Sequence, residues 1–129
     1  MKKVVLLAML LFGVACSSEP APVADVLHVK ARDLNFDQTQ LAVPAGAEVT
    51  LNLTNEGSLE HNWVLVHEEA ELATTTPADA INQAASEVLA GGKSTTLTFT
   101  APEPGSYQYV CTVPGHALAG MVGKLTVVP

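Results

Sequence analysis

The sequence predicts an all-β domain: a Greek-key β-sandwich of seven to eight short strands with one short helix. Three observations lead there. Short stretches alternate apolar and polar side chains again and again, the period of a half-buried strand. Val, Thr and Leu are plentiful, and these residues suit a pleated surface. Turn chemistry built from Pro, Gly, Asn, Asp and Ser separates the stretches. At 129 residues, 48% of them hydrophobic, the chain is long enough for one domain with a buried core.

The N-terminus reads as an address. Lys2 and Lys3 precede a twelve-residue apolar run, Val4 to Ala15. A membrane span needs about 20 residues, so the run suits a secretory signal better. It ends Phe12-Gly13-Val14-Ala15-Cys16-Ser17-Ser18. That ending resembles a bacterial lipoprotein signal, in which a small residue precedes a Cys that becomes the lipidated first residue; Gly13 stands where the pattern usually has Leu. The expected organisation is a signal over residues 1–15, cleaved before Cys16, a Pro/Ala-rich tether over 16–24, and the folded domain over 25–129. The expected location is the periplasmic or outer face of a membrane, held only by the lipid on Cys16; soluble periplasmic export is the alternative. A disulfide between Cys16 and Cys111 is the other use of the two cysteines.

Within the domain, Asp25 to Ala31 alternates, with Leu27 and Val29 on one face and Val26, His28 and Lys30 on the other. Asn35-Phe36 and Gln40 to Val43 form a second short extended region, and Pro44-Ala45-Gly46 turns the chain. Glu48 to Thr54 is the clearest period-two strand, with Val49, Leu51 and Leu53 inward. His61 to Val66 is the next, with Trp63 and Leu65 on one face. Thr76-Pro77-Ala78-Asp79 has the chemistry of a helix start, and Ile81, Ala84, Ala85, Val88 and Leu89 follow at helical spacing until Gly91-Gly92, which predicts the helix at about Pro77 to Leu89. Ser94 to Thr100, Ser106 to Cys111 and Gly123 to Val128 complete the strands.

Charge narrows the function. The net charge is −7, and without Lys2 and Lys3 the chain has 4 basic against 13 acidic residues, so 4 − 13 = −9. Nucleic acid is excluded as a partner, because its phosphates demand Lys and Arg. No polybasic stripe marks an anionic lipid surface. Glu68, Glu69 and Glu71 either steer a basic partner or form a solvated loop face.

One stretch carries chemistry: Cys111-Thr112-Val113-Pro114-Gly115-His116-Ala117-Leu118-Ala119-Gly120-Met121. Thiol, imidazole and thioether lie within eleven residues, between two strands, and Pro114, Gly115 and Gly120 bend the chain between them. His61 opens an upstream strand and completes the set. Two His, one Cys and a weak axial Met are the donors of a blue-copper electron-transfer site. Zinc uses Cys and His but not Met, and it has no redox chemistry. Only His28 and His67 remain beyond the set, so the second metal centre of a copper enzyme has no ligands; the reading is not an enzyme.

Cys111 to His116 resembles the azurin and auracyanin ligand loop, and His116 to Lys124 is similar to the plastocyanin and auracyanin one. His61-Asn62-Trp63-Val64-Leu65-Val66 resembles the first-ligand strand of azurin and especially auracyanin. From Asp25 to Pro129 the chain looks like a small blue-copper protein (cupredoxin), most like the auracyanin branch. The resemblance implies an eight-stranded sandwich with one copper cycling between Cu(I) and Cu(II). His61 and His116 would bind through Nδ1, Cys111 through its thiolate, and Met121 axially. The Glu60 carbonyl would approach from the other side, where azurin has Gly. Asn62 would hydrogen-bond to the ligand loop. His116 would be the electron port, ringed by an apolar docking patch of Val113, Pro114, Ala117 and Leu118. The expected function is a monomeric one-electron carrier between redox proteins that dock transiently near His116; copper storage or delivery is the alternative.

Overall fold

The computed structural model describes residues 19–129; the signal segment 1–15 and Cys16 lie outside the described residues. Eight strands are present among the described residues: β1 (Val26–Arg32), β2 (Asn35–Phe36), β3 (Gln40–Pro44), β4 (Glu48–Asn55), β5 (Val64–His67), β6 (Ser94–Thr100), β7 (Gly105–Val110) and β8 (Val122–Val128). They form two four-stranded sheets, ordered β2-β1-β4-β6 and β3-β8-β7-β5.

Alternation decides which face each strand buries. In β1, Leu27, Val29 and Ala31 are buried and their neighbours exposed; in β4, Val49, Leu51 and Leu53 are inward. Each such Val or Leu contributes roughly 1.5–3 kcal/mol by leaving water. Between the sheets lies an aromatic stack: Trp63 packs 5.3 Å from Tyr109, which meets Phe36 edge-on at 5.4 Å.

Two pairings depart from the antiparallel sandwich the strand pattern suggests. β1 runs parallel to β4, and β3 parallel to β8. The chain leaves the first sheet after β2, adds β3 to the second and returns for β4. Such a crossover permits a parallel neighbour, which a tight hairpin does not. Pairing also starts ahead of residue 25: Val23 bridges Ala42, and the Ala24 N–H donates to the Ala42 carbonyl at 3.0 Å.

The expected helix is not α-helical. Pro77–Asp79 and Ile81–Gln83 are single 3₁₀ turns, the first with the capping box that Thr76 and Asp79 encode. Asn82 and Gln83 then adopt left-handed backbone (φ 49 and 59), and the Asn82 Nδ2 donates to the Thr100 carbonyl. The chain beyond runs extended along the outer edge of β5. Leu65 N–H donates to Ala84 O, Ser86 N–H to Trp63 O, and His61 and Leu89 exchange both backbone bonds. The physical reason is that an open β5 edge would leave buried N–H and C=O groups unpaired, a larger cost than the weak intrinsic preference for helix. Ala84 and Leu89 are buried by this strap, while Val88, placed inward by helical spacing, is 50% exposed.

The ends of β1, β4 and β7 and the starts of β5 and β8 meet at one pole of the sandwich. The turn between β1 and β2 also lies there. Leu34 takes φ 65 in that turn and places Asp33 beside the segment Ser58 to His61.

Candidate metal centre

Three side chains converge at this pole. His61 lies just before β5, its backbone clamped by Leu89 of the strap. Cys111 follows the last residue of β7. His116 sits in the loop from β7 to β8, its backbone N–H bonded to the Val113 carbonyl at 3.0 Å. The two Nδ1 atoms are 3.2 Å apart, and the Cys111 Sγ is 3.9 Å from Nδ1 of His61 and 3.5 Å from Nδ1 of His116. A point equidistant from all three atoms lies about 2.1 Å from each, the length of metal–imidazole and metal–thiolate bonds. Buried polar donors turned on one another are costly unless something shared satisfies them, and a cation at that point does so. The residues therefore fit a single metal ion, and two imidazoles with a thiolate suit copper.

Burial pushes the Cys111 thiol up, opposed by backbone N–H groups of Asn62 and Val113. Burial and then the neighbouring His61 push the His116 imidazole down, which keeps its lone pair free at neutral pH. His61 and Cys111 are fully buried, whereas His116 is only partly so.

Met121 is fully buried. The Cys111 N–H donates to its carbonyl at 3.1 Å, and its own N–H donates to His116 O at 3.0 Å. The first of these bonds continues the β7–β8 ladder one step beyond Val110 and Val122, and the second closes a turn within the loop. Residues directly opposite on an antiparallel ladder project to the same face, so Met121 and Cys111 share one. Asn62 is also buried. Its Nδ2 donates to Thr112 Oγ1, its Oδ1 accepts the Thr112 N–H, both at 2.8 Å, and the ligand loop is thereby tied to the first-ligand segment.

The patch around His116 differs from the expected one. Pro114 is exposed and Leu118 is 65% exposed, but Val113 is half-buried against the main core. Ala117 is buried with Val64, Val66 and Val110, because the tight turns after Gly115 fold it back under the loop, and it is not a surface residue. His28 and His67 are exposed, outside the cluster.

Sequence reasoning missed Asp33. Its Oδ1 accepts the backbone N–H groups of Ser58 (2.9 Å) and Leu59 (3.0 Å) and lies 3.4 Å from His61 Nε2; its Oδ2 accepts the Ser58 hydroxyl at 2.6 Å. The Leu59 N–H and then the Ser58 hydroxyl hold this carboxyl well below the usual range, despite some desolvation. Asp33-Leu34-Asn35 has turn composition, but nothing local marks a contact with a residue 28 positions away.

A β-sandwich that gathers two imidazole nitrogens and one thiol sulfur around one point defines a mononuclear copper protein. Comparison with known proteins agrees: residues 23–128 match the family model for copper binding proteins of the plastocyanin/azurin family, and the chain belongs to that family. Auracyanin-B of Chloroflexus aurantiacus is 41% identical over 125 residues, 82% of this chain and 53% of the relative, so the chain spans about half the length of that protein. Auracyanin-A of the same organism is also 41% identical, over 85% of this chain and 77% of the relative. A dithionite-reduced auracyanin from Roseiflexus castenholzii superposes with a TM-score of 0.75 at 29% identity, covering 84% of this chain and all of that one. Among the described residues no helix is long and apolar enough to cross a membrane.

Proposed function

We propose that this protein is a one-electron carrier with a type 1 copper centre held by His61, Cys111, His116 and Met121. The observation that carries this reading is the Nδ1, Nδ1, Sγ triangle, whose centre lies at bonding distance from all three atoms. Copper bound there supplies a Cu(II)/Cu(I) couple that takes and returns one electron. The protein's task is to hold the donors still while the charge changes. His61 is fixed by the strap, Cys111 by its bond to Met121, and the ligand loop by the Asn62–Thr112 pair. Met121, on the same face as Cys111, would supply a thioether as the fourth donor. His116, only partly buried, is the electron port to a redox partner, with Pro114 and Leu118 as the apolar rim. A small apolar contact of this kind suits partners that must separate after transfer.

Export and anchoring belong to the same reading. The lipoprotein-like residues 1–15 direct export, and a lipid on Cys16 holds a monomeric domain at the membrane surface, where its donor and acceptor are found. Cys16→Ser should move the protein from the membrane fraction to the soluble one; continued membrane association counts against the lipid.

The deciding experiment is a visible spectrum of the protein with copper(II), before and after ascorbate. An intense thiolate-to-copper band that bleaches on reduction and returns on oxidation is expected. Absence of the band overturns the carrier reading. Rapid loss of copper to a chelator transfers the site to copper delivery.

A further inference from the structure

The copper reading assigns His61 one nitrogen and leaves the other unexplained. Nδ1 faces His116 and Cys111; Nε2 points away from them, to the Asp33 carboxylate 3.4 Å off. That separation is longer than the usual N–H···O distance of about 2.9–3.0 Å. The carboxylate itself is well placed. Three other donors fix it: the Ser58 N–H, the Leu59 N–H and the Ser58 hydroxyl. All come from the short segment leading into His61, so one carboxylate sets both the course of that segment and the surroundings of the ring. Gly57 fits the arrangement, because a Cβ there would overlap Asp33 Oδ1. Asp33 is also 44% exposed by side chain, whereas His61 is fully buried, so the carboxylate is the outer end of a line running from solvent through His61 to the donor cluster.

We propose that Asp33 is a positioning residue for the centre: it accepts the His61 Nε2–H, which fixes the tautomer with a free Nδ1 lone pair, and its negative charge favours the higher oxidation state of the bound copper. This rests on the copper reading for its second half only. An anionic acceptor permits only the donor form of Nε2, and a neutral imidazole carries one N–H, so Nδ1 is left as the ligand. A carboxylate behind a metal-bound imidazole raises the basicity of the ring and stabilises the more positive metal.

The first test needs no copper. Nitrogen-15 NMR of the copper-free protein should show His61 protonated at Nε2 and bare at Nδ1. Asp33→Ala should give a mixture of tautomers. A wild-type ring protonated at Nδ1 overturns the proposal.

The second test measures the reduction potential of the copper-loaded protein. Asp33→Asn keeps an oxygen for the Ser58 and Leu59 N–H groups but removes the charge. The Cu(I)/Cu(II) ratio at fixed ambient potential should shift about tenfold toward Cu(I), a rise of about 59 mV for one electron. Asp37→Asn is the control: it removes equal charge from a carboxylate that accepts the Lys30 N–H and does not touch His61. An unchanged potential in Asp33→Asn, or an equal rise in both variants, overturns the electrostatic role. If the wild type shows no thiolate–copper band, it is the copper reading that fails, and the tautomer measurement still decides the positioning role.

Discussion

Asn62→Ala tests how the ligand loop is held. The wild-type side chain is fully buried and makes two bonds of 2.8 Å to Thr112, one to its hydroxyl and one from its backbone N–H. Each contributes about 1 kcal/mol net, and the half-buried Thr112 N–H left without its acceptor costs about 1 kcal/mol more. The copper-free variant should therefore lose about 2–3 kcal/mol. Urea unfolding read by fluorescence of Trp63, the single tryptophan of the chain, measures this directly. With a slope of about 1.2 kcal/mol per molar urea, the midpoint should fall by roughly 2 M. Thr112→Val removes only the hydroxyl bond and should cost about 1 kcal/mol, with a coupling of similar size in the double mutant. The copper-loaded variant keeps all its ligands and should keep its visible band while binding copper about tenfold or more weakly. Stability within about 0.5 kcal/mol of wild type, or no coupling to Thr112, would refute the assignment of this pair as the tie between the two ligand segments.

Three further outcomes follow. Met121→Leu should retain the band and shift the potential, because the axial ligand tunes it; an unchanged potential removes Met121 from the ligand set. Gly123→Ala places a Cβ inside the ring of Tyr109, which stands across from it on the ladder and is held by Phe36, Trp63 and a 2.6 Å bond from its hydroxyl to Gln38 O. The ring cannot yield cheaply, so urea unfolding should show a loss of about 2–3 kcal/mol, relieved in a Tyr109→Leu background; a neutral effect contradicts the ring's position. Glu56 is held below its ordinary value by Lys30 first and then by Arg32, at the exposed face of β1. A depressed carboxylate adds stability above its unfolded value of about 4.3 and loses it as pH falls through the folded one. Wild type and Glu56→Gln should accordingly differ in urea midpoint at pH 7, and the difference should shrink as pH falls below about 4.3; a constant difference would mean the effect is not ionic.

The strands were legible because a half-buried strand writes its burial in period two. Leu27, Val29, Val49, Leu51, Leu53 and Phe99 all point inward as the alternation requires. The stretch from Ile81 to Leu89 shows the limit of that reasoning. Its spacing fits a helix, but the demand for backbone partners came from β5, distant in sequence, and made it an extended strap. Ala117 was misplaced for a related reason: small apolar residues near an exposed ligand look like surface patch until the loop's own turns fold one under.

The chemistry of this protein is written in residue identity and spacing. The donor types, their spacing in one loop and an upstream His at a strand start specify what can be bound, because a ligand loop carries most of its ligands within a few residues. Tertiary structure alone decided the surroundings that govern how the centre behaves. Asp33 reaches His61 because the β1–β2 turn and the His61 segment meet at one pole. Leu89 clamps the same His because the strap must cover a sheet edge. Such contacts join residues separated by 28 positions in each case, and no local pattern encodes them.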